Sequence, residues 1–172
     1  MKQLLLLRHA KSSWKDASRS DKERPLNKRG TKDAERIGQF LSNTNYIPDT
    51  IFCSTARRTR QTLSLLSDRW KDEFEPHVVL EERLYSESVI NYLKTIQQAP
   101  SSNNCVMVIG HNPNMEQLAC HLLSSENGGF IRVPTGGLIC IEFAATNWHS
   151  LGDYGGQLKW MIIPKILRKL QM

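Results

Sequence analysis

The sequence predicts an α/β fold: a three-layer α/β/α sandwich around a mostly parallel central sheet, with an antiparallel strand near the C-terminus. Short apolar runs, typical of buried strands, alternate with segments whose apolar residues recur at helical spacing. Strands that alternate with helices favour a parallel sheet covered on both faces. A chain of 172 residues can form one sizeable core, so we expect a single domain spanning residues 1–172.

The first half of the chain contains two clear strand predictions, each leading towards a helix. Residues 2–8 include four consecutive leucines and indicate a buried strand. Residues 11–29 are polar and charged, which predicts a long loop. Asn27 is a suitable N-cap for the helix that follows. A second strand at 50–53 precedes a second helix, whose apolar pattern continues to Trp70.

The second half repeats this alternation and ends differently. The predicted elements are a weak strand at 77–80, a helix at 87–98, the clearest strand at 105–109, a helix at 113–124 and an antiparallel pair of strands at 137–143 and 158–163. Residues 165–170 are amphipathic and basic. We expect a frayed terminal helix there, because one short basic stretch is a weak membrane anchor.

The net charge of +6 is concentrated at one end of the chain. Residues 1–36 contain 11 Lys/Arg and 5 Asp/Glu, whereas the remaining residues are balanced. Such a field would concentrate an anionic substrate or partner, although a solvated basic loop is an equal alternative. Nucleic-acid binding is disfavoured, because this segment has one aromatic residue, Trp14, and no recognisable nucleic-acid motif.

The four cysteines indicate a reducing compartment. None forms a CxxC pair, and three lie in apolar, strand-like stretches. The leucine run is too short for a signal peptide, and no stretch is long enough to cross a membrane. We therefore expect a cytoplasmic protein without a membrane partner.

Polar side chains follow three of the predicted strands at the point where each strand ends. They are Arg8-His9, the turn from Ser54 to Arg58, and His111. Because ligands bind outside the carboxyl ends of parallel strands, these three segments are expected to converge on one pocket.

The residue types in this predicted pocket suit phosphoryl transfer. Arg8 and one arginine near 57–60 could clamp phosphate oxygens, since guanidinium donors match them. His9 could attack phosphorus through a neutral ring nitrogen, and the nearby guanidinium groups should favour that neutral form. His111 could donate a hydrogen bond to the phosphoryl oxygens. No carboxylate or cysteine lies at ligand spacing near either histidine, so we expect neither metal nor cofactor.

Three segments carry a resemblance to a known family. Leu7-Arg8-His9-Ala10-Lys11 resembles the first signature of the histidine phosphatase superfamily, which includes phosphoglycerate mutases and acid phosphatases. Ser54 to Thr62 is similar to its second motif, in which the phosphate-binding arginine follows the serine by four residues and precedes Gln-Thr; this match selects Arg58 over Arg57. Ile109-Gly110-His111-Asn112-Pro113 is similar to the second-histidine motif.

Two further segments narrow the resemblance to small phosphatases of the SixA type. Arg24-Pro25-Leu26 with Gly30 resembles the start of their first helix, and Thr135-Gly136-Gly137 resembles a late turn. The resemblance implies a phosphoglycerate mutase-like fold and a signalling role. It also implies removal of phosphate from phosphohistidine on a partner protein.

The same resemblance implies roles for six residues. They are His9 as nucleophile, Arg8, Arg58 and His111 around the phosphoryl group, Asn112 as a backbone contact to phosphate, and Glu82 as a possible proton donor. A solvated loop carboxylate is the favoured interpretation of Glu82, because Ser86 stands where the mutase pattern has glycine. Two alternatives remain open: a phosphatase for small phosphate-ester metabolites, and a phosphoprotein-binding module without turnover.

Overall fold

Strands and helices alternate in the computed structural model, which describes residues 1–70, 75–85, 88–123, 130–152 and 155–170. The strands are β1 (Lys2–Arg8), β2 (Thr50–Ser54), β3 (His77–Glu81), β4 (Cys105–Gly110), β5 (Leu138–Phe143) and β6 (Gly156–Ile162). The helices are α1 (Lys28–Asn43), α2 (Arg57–Ser67), α3 (Val89–Ile96), α4 (Asn114–Leu123) and α5 (Pro164–Lys169). The predicted elements are therefore present; the predicted helix residues 87 and 124, and Ser86, lie outside the described residues.

The six strands form one mixed sheet in the order β3-β2-β4-β1-β5-β6. β1, β2, β3 and β4 pair in parallel, whereas β5 is antiparallel to both β1 and β6. This arrangement confirms the predicted mostly parallel sheet with an antiparallel strand near the C-terminus.

The leucine run of β1 is explained by burial on both sides of the sheet. Leu4 and Leu6 pack into the core beneath α3 and α4, whereas Leu5 and Leu7 pack into the core beneath α1, α2 and α5. All four side chains are at most 1% exposed. A strand covered on both faces needs apolar residues at consecutive positions rather than at alternate ones.

The strand order brings the three polar segments together. β4 lies between β1 and β2, and Arg8 is in register with Gly110. The backbone N–H of His9 donates to the carbonyl of Gly110 across 3.1 Å. His9, His111 and the turn that begins α2 therefore project from three adjacent strand ends.

The predicted loop at 11–29 is ordered against the site and contains a 3₁₀ turn at Asp21–Glu23. Two side chains of α2 hold it: Thr62 Oγ1 accepts from the N–H of Ala10, and Gln61 Oε1 accepts from the N–H of Leu26. The predicted N-cap is present, because the Asn27 side chain accepts from the N–H of Gly30. Tertiary hydrogen bonds thus give this polar segment a fixed path.

The prediction of a frayed C-terminal helix is wrong. α5 packs against the core through Leu167, which is fully buried, and Arg168 donates to the buried carboxylate of Asp33. A six-residue helix would be unstable alone, so tertiary contacts hold it. In the described part of the chain, no helix is long and apolar enough to span a bilayer.

Candidate active site

His9 follows β1 and is held in one tautomer. Its Nδ1 lies 2.7 Å from the carbonyl oxygen of Ala10, to which it must donate. Its Nε2 accepts from Nε of Arg58 at 3.3 Å. The hydrogen therefore resides on Nδ1, and Nε2 presents a lone pair to the site.

Arg58 connects the two histidines. Besides its contact with His9, its Nη2 lies 3.2 Å from Nδ1 of His111. The guanidinium is also held by Asp21, through Nη1 to the backbone carbonyl at 2.6 Å and Nη2 to Oδ2 at 2.9 Å. The position selected by the motif is thus the one that reaches both imidazoles.

His111 is fixed on both ring nitrogens. Because Arg58 can only donate, Nδ1 of His111 accepts, and Nε2 donates to Oγ of Ser54 at 2.8 Å. The backbone N–H of His111 donates to the hydroxyl of Tyr92. The centroids of the His9 and His111 rings are 5.2 Å apart.

Both imidazoles are neutral at physiological pH. Burial, with smaller contributions from the charges of Arg58, Arg8 and Arg24, lowers the pKa of His9 from 6.5 to about 4, although the hydrogen bond to the carbonyl of Ala10 opposes the shift. Burial likewise lowers the pKa of His111 to about 3, with contributions from His9 and Arg58. The arginines act in the predicted direction, but burial is the larger cause.

Arg8 lies close enough to the two histidines for its charge to lower the pKa of both. Its Nη1 donates to the carbonyl of Val133 at 2.8 Å, while its Nε is buried without a hydrogen-bond partner among the described residues. Its backbone is held by the predicted glycine turn, because the N–H of Gly136 donates to the carbonyls of Arg8 and His9. A buried guanidinium nitrogen with an unused hydrogen is a ready contact for an oxyanion.

Asn112 lines the same cavity as Arg58 and His111. Its Nδ2 donates to the carbonyl of Val133, which also accepts a hydrogen bond from Nη1 of Arg8. Its Oδ1 is buried without a hydrogen-bond partner in the described residues.

Glu82 is engaged elsewhere. Its carboxylate accepts two hydrogen bonds from Nζ of Lys22, at 2.6 and 2.8 Å, and another from the hydroxyl of Thr55. These hydrogen bonds lower the pKa of Glu82 below its usual range. A carboxylate that holds its charge so firmly is a poor proton donor.

Asp21 and Tyr85, which the sequence analysis does not single out, also line this cavity of about 360 Å³. Asp21 binds Arg24 as well as Arg58, because Nη1 of Arg24 donates to Oδ1 of Asp21 at 2.6 Å. Arg24 therefore supports the site through a carboxylate. The Arg-Pro-Leu segment was the signal that pointed towards this region.

The site contains guanidinium and imidazole groups rather than a metal-ligand set. Across the described ranges, no group of three His, Cys, Asp or Glu side chains is placed to hold a metal ion. The donors instead suit an anion with several oxygens.

Comparison with known proteins gives a consistent result. The family described as histidine phosphatase superfamily (branch 1) matches residues 4–89. An uncharacterized chloroplastic protein of Arabidopsis thaliana is 30% identical, with 95% of this chain and 78% of the relative covered.

Two solved structures share the whole fold. A candidate phosphohistidine phosphatase SixA from Nakamurella multipartitia superposes with a TM-score of 0.82 at 26% identity, covering 95% of this chain and 96% of the other. A candidate phosphohistidine phosphatase SixA from Agrobacterium tumefaciens superposes with a TM-score of 0.78 at 28% identity, covering 95% of this chain and 98% of the other.

Proposed function

Because this chain belongs to the histidine phosphatase superfamily and is a phosphatase, we propose that it removes phosphate from phosphohistidine on a partner protein, through a covalent intermediate on His9. One observation carries the proposal. The lone pair of His9 Nε2 faces Arg58 in a neutral, buried ring, next to a second neutral histidine. This combination supports nucleophilic attack on a group that brings its own negative charge.

In the first step, Nε2 of His9 forms a bond to phosphorus while the bond from phosphorus to the substrate nitrogen breaks. The phosphoryl oxygens would replace His9 and His111 as acceptors for Arg58, and the nearby positive charge of Arg8 would stabilise them. Catalysis then depends on positioning and charge stabilisation. For His111 to donate as well, its Nδ1 must gain a proton, which the arriving dianion favours.

In the second step, water attacks phospho-His9 and releases inorganic phosphate. The hydrogen bond from Nδ1 to the carbonyl of Ala10 keeps a proton on the far nitrogen of the phosphorylated ring. The bond to phosphorus can therefore break with departure of a neutral imidazole, a much better leaving group than an imidazolate.

The same reasoning favours phosphohistidine as the substrate. An imidazole that already carries a proton on its other nitrogen needs no acid from the enzyme, whereas an alkoxide does. Glu82, the possible donor, is bound to Lys22 and Thr55 and has a lowered pKa. We assign it no role in the reaction.

The basic N-terminal residues would guide the partner. Residues 1–36 carry the whole net charge of +6 and include the loop beside the site. Steering of this kind weakens with ionic strength, so the association rate should fall as salt is added. Three of the four cysteines are buried free thiols, which supports the proposed location in the reducing cytoplasm.

The test measures phosphate release, without added metal, from a phosphohistidine-bearing protein and from a panel of phosphate esters. Wild type is compared with His9→Ala and with His77→Ala, which removes an exposed histidine of β3. We expect fast release from phosphohistidine, lost in His9→Ala alone, and acid-labile phosphate on wild-type His9. Preference for esters would support the metabolite phosphatase instead. Activity that survives in His9→Ala would refute the nucleophile assignment, and binding without release would indicate a non-catalytic module.

A further inference from the structure

The cavity beside the catalytic histidines is also lined by two side chains that the phosphate-binding role does not require. Asp21 and Tyr85 line it together with Arg58 and His111. The Tyr85 hydroxyl donates to Oδ2 of Asp21 at 3.1 Å, and the Tyr85 ring meets the ring of His111 edge-on, with centroids 5.6 Å apart.

Asp21 lies across the arginine clamp from the nucleophile. The guanidinium of Arg58 reaches His9 through Nε and holds Asp21 through Nη1 and Nη2. His9 is 8% exposed, whereas the Asp21 side chain is 52% exposed. An in-line displacement moves the leaving atom away from the attacking one, so a leaving group would depart away from the buried His9, towards the more exposed part of the cavity that Asp21 lines.

The carboxylate of Asp21 retains a free acceptor position. Oδ1 accepts from Arg24, and Oδ2 accepts from Arg58 and Tyr85, among the described residues. A carboxylate offers about four lone-pair positions, so one on Oδ1 is available. The neighbouring arginines keep the pKa of Asp21 below its usual value against the opposing effect of burial, so the group is ionised.

We propose that Asp21 and Tyr85 form a subsite for the leaving imidazole ring of phosphohistidine, with Asp21 accepting a hydrogen bond from its protonated nitrogen and Tyr85 packing against its face. This inference rests on the proposed function and deepens it. The leaving ring is neutral when its far nitrogen carries a proton. That N–H donates a hydrogen bond to the free acceptor position on Oδ1 of Asp21. The subsite thereby favours phosphohistidine over esters.

The selection has two components. A charge-assisted hydrogen bond to the protonated ring stabilises the bound phosphohistidine and its transition state. An ester develops negative charge on its leaving oxygen, and the Asp21 carboxylate would oppose that charge. Loss of the carboxylate should therefore lower kcat/KM for phosphohistidine and raise kcat/KM for an ester.

The experiment compares kcat/KM for free phosphohistidine with kcat/KM for p-nitrophenyl phosphate in wild type, Asp21→Asn and Asp16→Asn. Asp16 belongs to the same loop and pairs with Arg19 at the surface, so its variant matches the change of charge. Free phosphohistidine avoids any effect of protein docking. We expect Asp21→Asn to lower the preference for phosphohistidine by about ten- to a hundredfold, the worth of one hydrogen bond to a charged group, and Asp16→Asn to leave it unchanged.

Equal losses on both substrates in Asp21→Asn would mean that Asp21 only orients Arg58, and would overturn the inference. Tyr85 supplies an independent variant if Asp21→Asn is unstable: Tyr85→Leu should lower the same preference, while Tyr85→Phe, which keeps the ring, should lower it less. Identical preferences in wild type and Tyr85→Leu would exclude ring packing. If wild type turns over the ester and not phosphohistidine, the proposed function itself fails, before any variant is compared, and the subsite fails with it.

Discussion

Nε of Arg58 donates to Nε2 of His9 across 3.3 Å, so the proposed clamp for the phosphoryl group contacts the proposed nucleophilic atom before substrate arrives. The same guanidinium reaches His111. A phosphoryl group that binds between the histidines can take over both contacts as an acceptor. The free site is thus pre-organised around the position that phosphorus will occupy, which reduces the reorganisation required during reaction.

This relationship predicts that Arg58 is sensitive to a conservative change. Arg58→Lys keeps the positive charge but cannot contact His9, His111 and Asp21 together, because an ammonium is a point donor. We expect kcat to fall by about a hundredfold or more. Arg57→Lys, one residue earlier at the start of α2, should change kcat by less than about threefold. Steady-state kinetics on a phosphohistidine protein measure both; equal losses would contradict the assignment to Arg58.

The sheet and the three polar segments that meet at the candidate site are predictable from the sequence because their signals are local. The leucine run of β1 and the apolar stretch of β4 indicate buried strands directly. In a parallel sheet the carboxyl ends of adjacent strands share one edge, so Arg8-His9 and His111 could be brought together without a structure. The resemblance of Ser54 to Thr62 to the second motif of the histidine phosphatase superfamily then selects Arg58.

The contacts of Asp21, Tyr85 and Ser54 could not be predicted in the same way. Asp21 and Tyr85 are 64 residues apart, and their hydrogen bond depends on the path of the 11–29 loop, which has no periodic pattern. Ser54 was recognised as a motif residue, but its bond to His111 requires the pairing of β2 with β4. α5 likewise acquires its order from the core rather than from its own six residues.

The position of Glu82 gives a prediction about proton donation. Its carboxylate is bound by Lys22 and Thr55, and its side chain is 62% exposed. We expect Glu82→Gln to retain phosphohistidine hydrolysis within about threefold, since exposed changes of charge have small effects. The measurement is kcat/KM on the phosphohistidine protein and on an ester. A collapse of ester turnover alone would restore Glu82 as a general acid for esters.

The lowered pKa of His9 predicts how stability depends on pH. The pKa is about 4 in the folded protein and 6.5 ordinarily, so the unfolded chain binds more protons between these values. The free energy of unfolding should therefore decrease as the pH falls through this window, by up to about 1.4 kcal/mol per pH unit for this group. Urea denaturation at a series of pH values measures the slope.

Replacement of His9 isolates its share of that slope. His9→Asn removes one titrating ring and should reduce the slope between pH 6 and pH 4.5, leaving the part that the lowered pKa of His111 contributes. His77→Asn, at an exposed position of β3, should leave the slope unchanged. An unaltered slope in His9→Asn would show that His9 is not buried in its neutral form.

The close packing of Gly30 against the backbone of the loop after His9 can be tested by substitution. Alanine normally stabilises a helix relative to glycine, by about 1 kcal/mol. At Gly30, however, a Cβ would lie 2.1 Å from the carbonyl oxygen of Lys11, two residues after the nucleophile. That carbonyl also accepts from the N–H of Asn27, so it cannot move without breaking the start of α1. We expect Gly30→Ala to lower the free energy of unfolding by about 1–3 kcal/mol, the usual cost of overpacking, and to reduce kcat.

Gly152→Ala is the matched control, since nothing in the described structure lies within 4 Å of its Cβ, and it should change stability by less than about 0.5 kcal/mol. Chemical denaturation of both variants gives the comparison, and a neutral or stabilising Gly30→Ala would show that the loop can move away from α1 without cost.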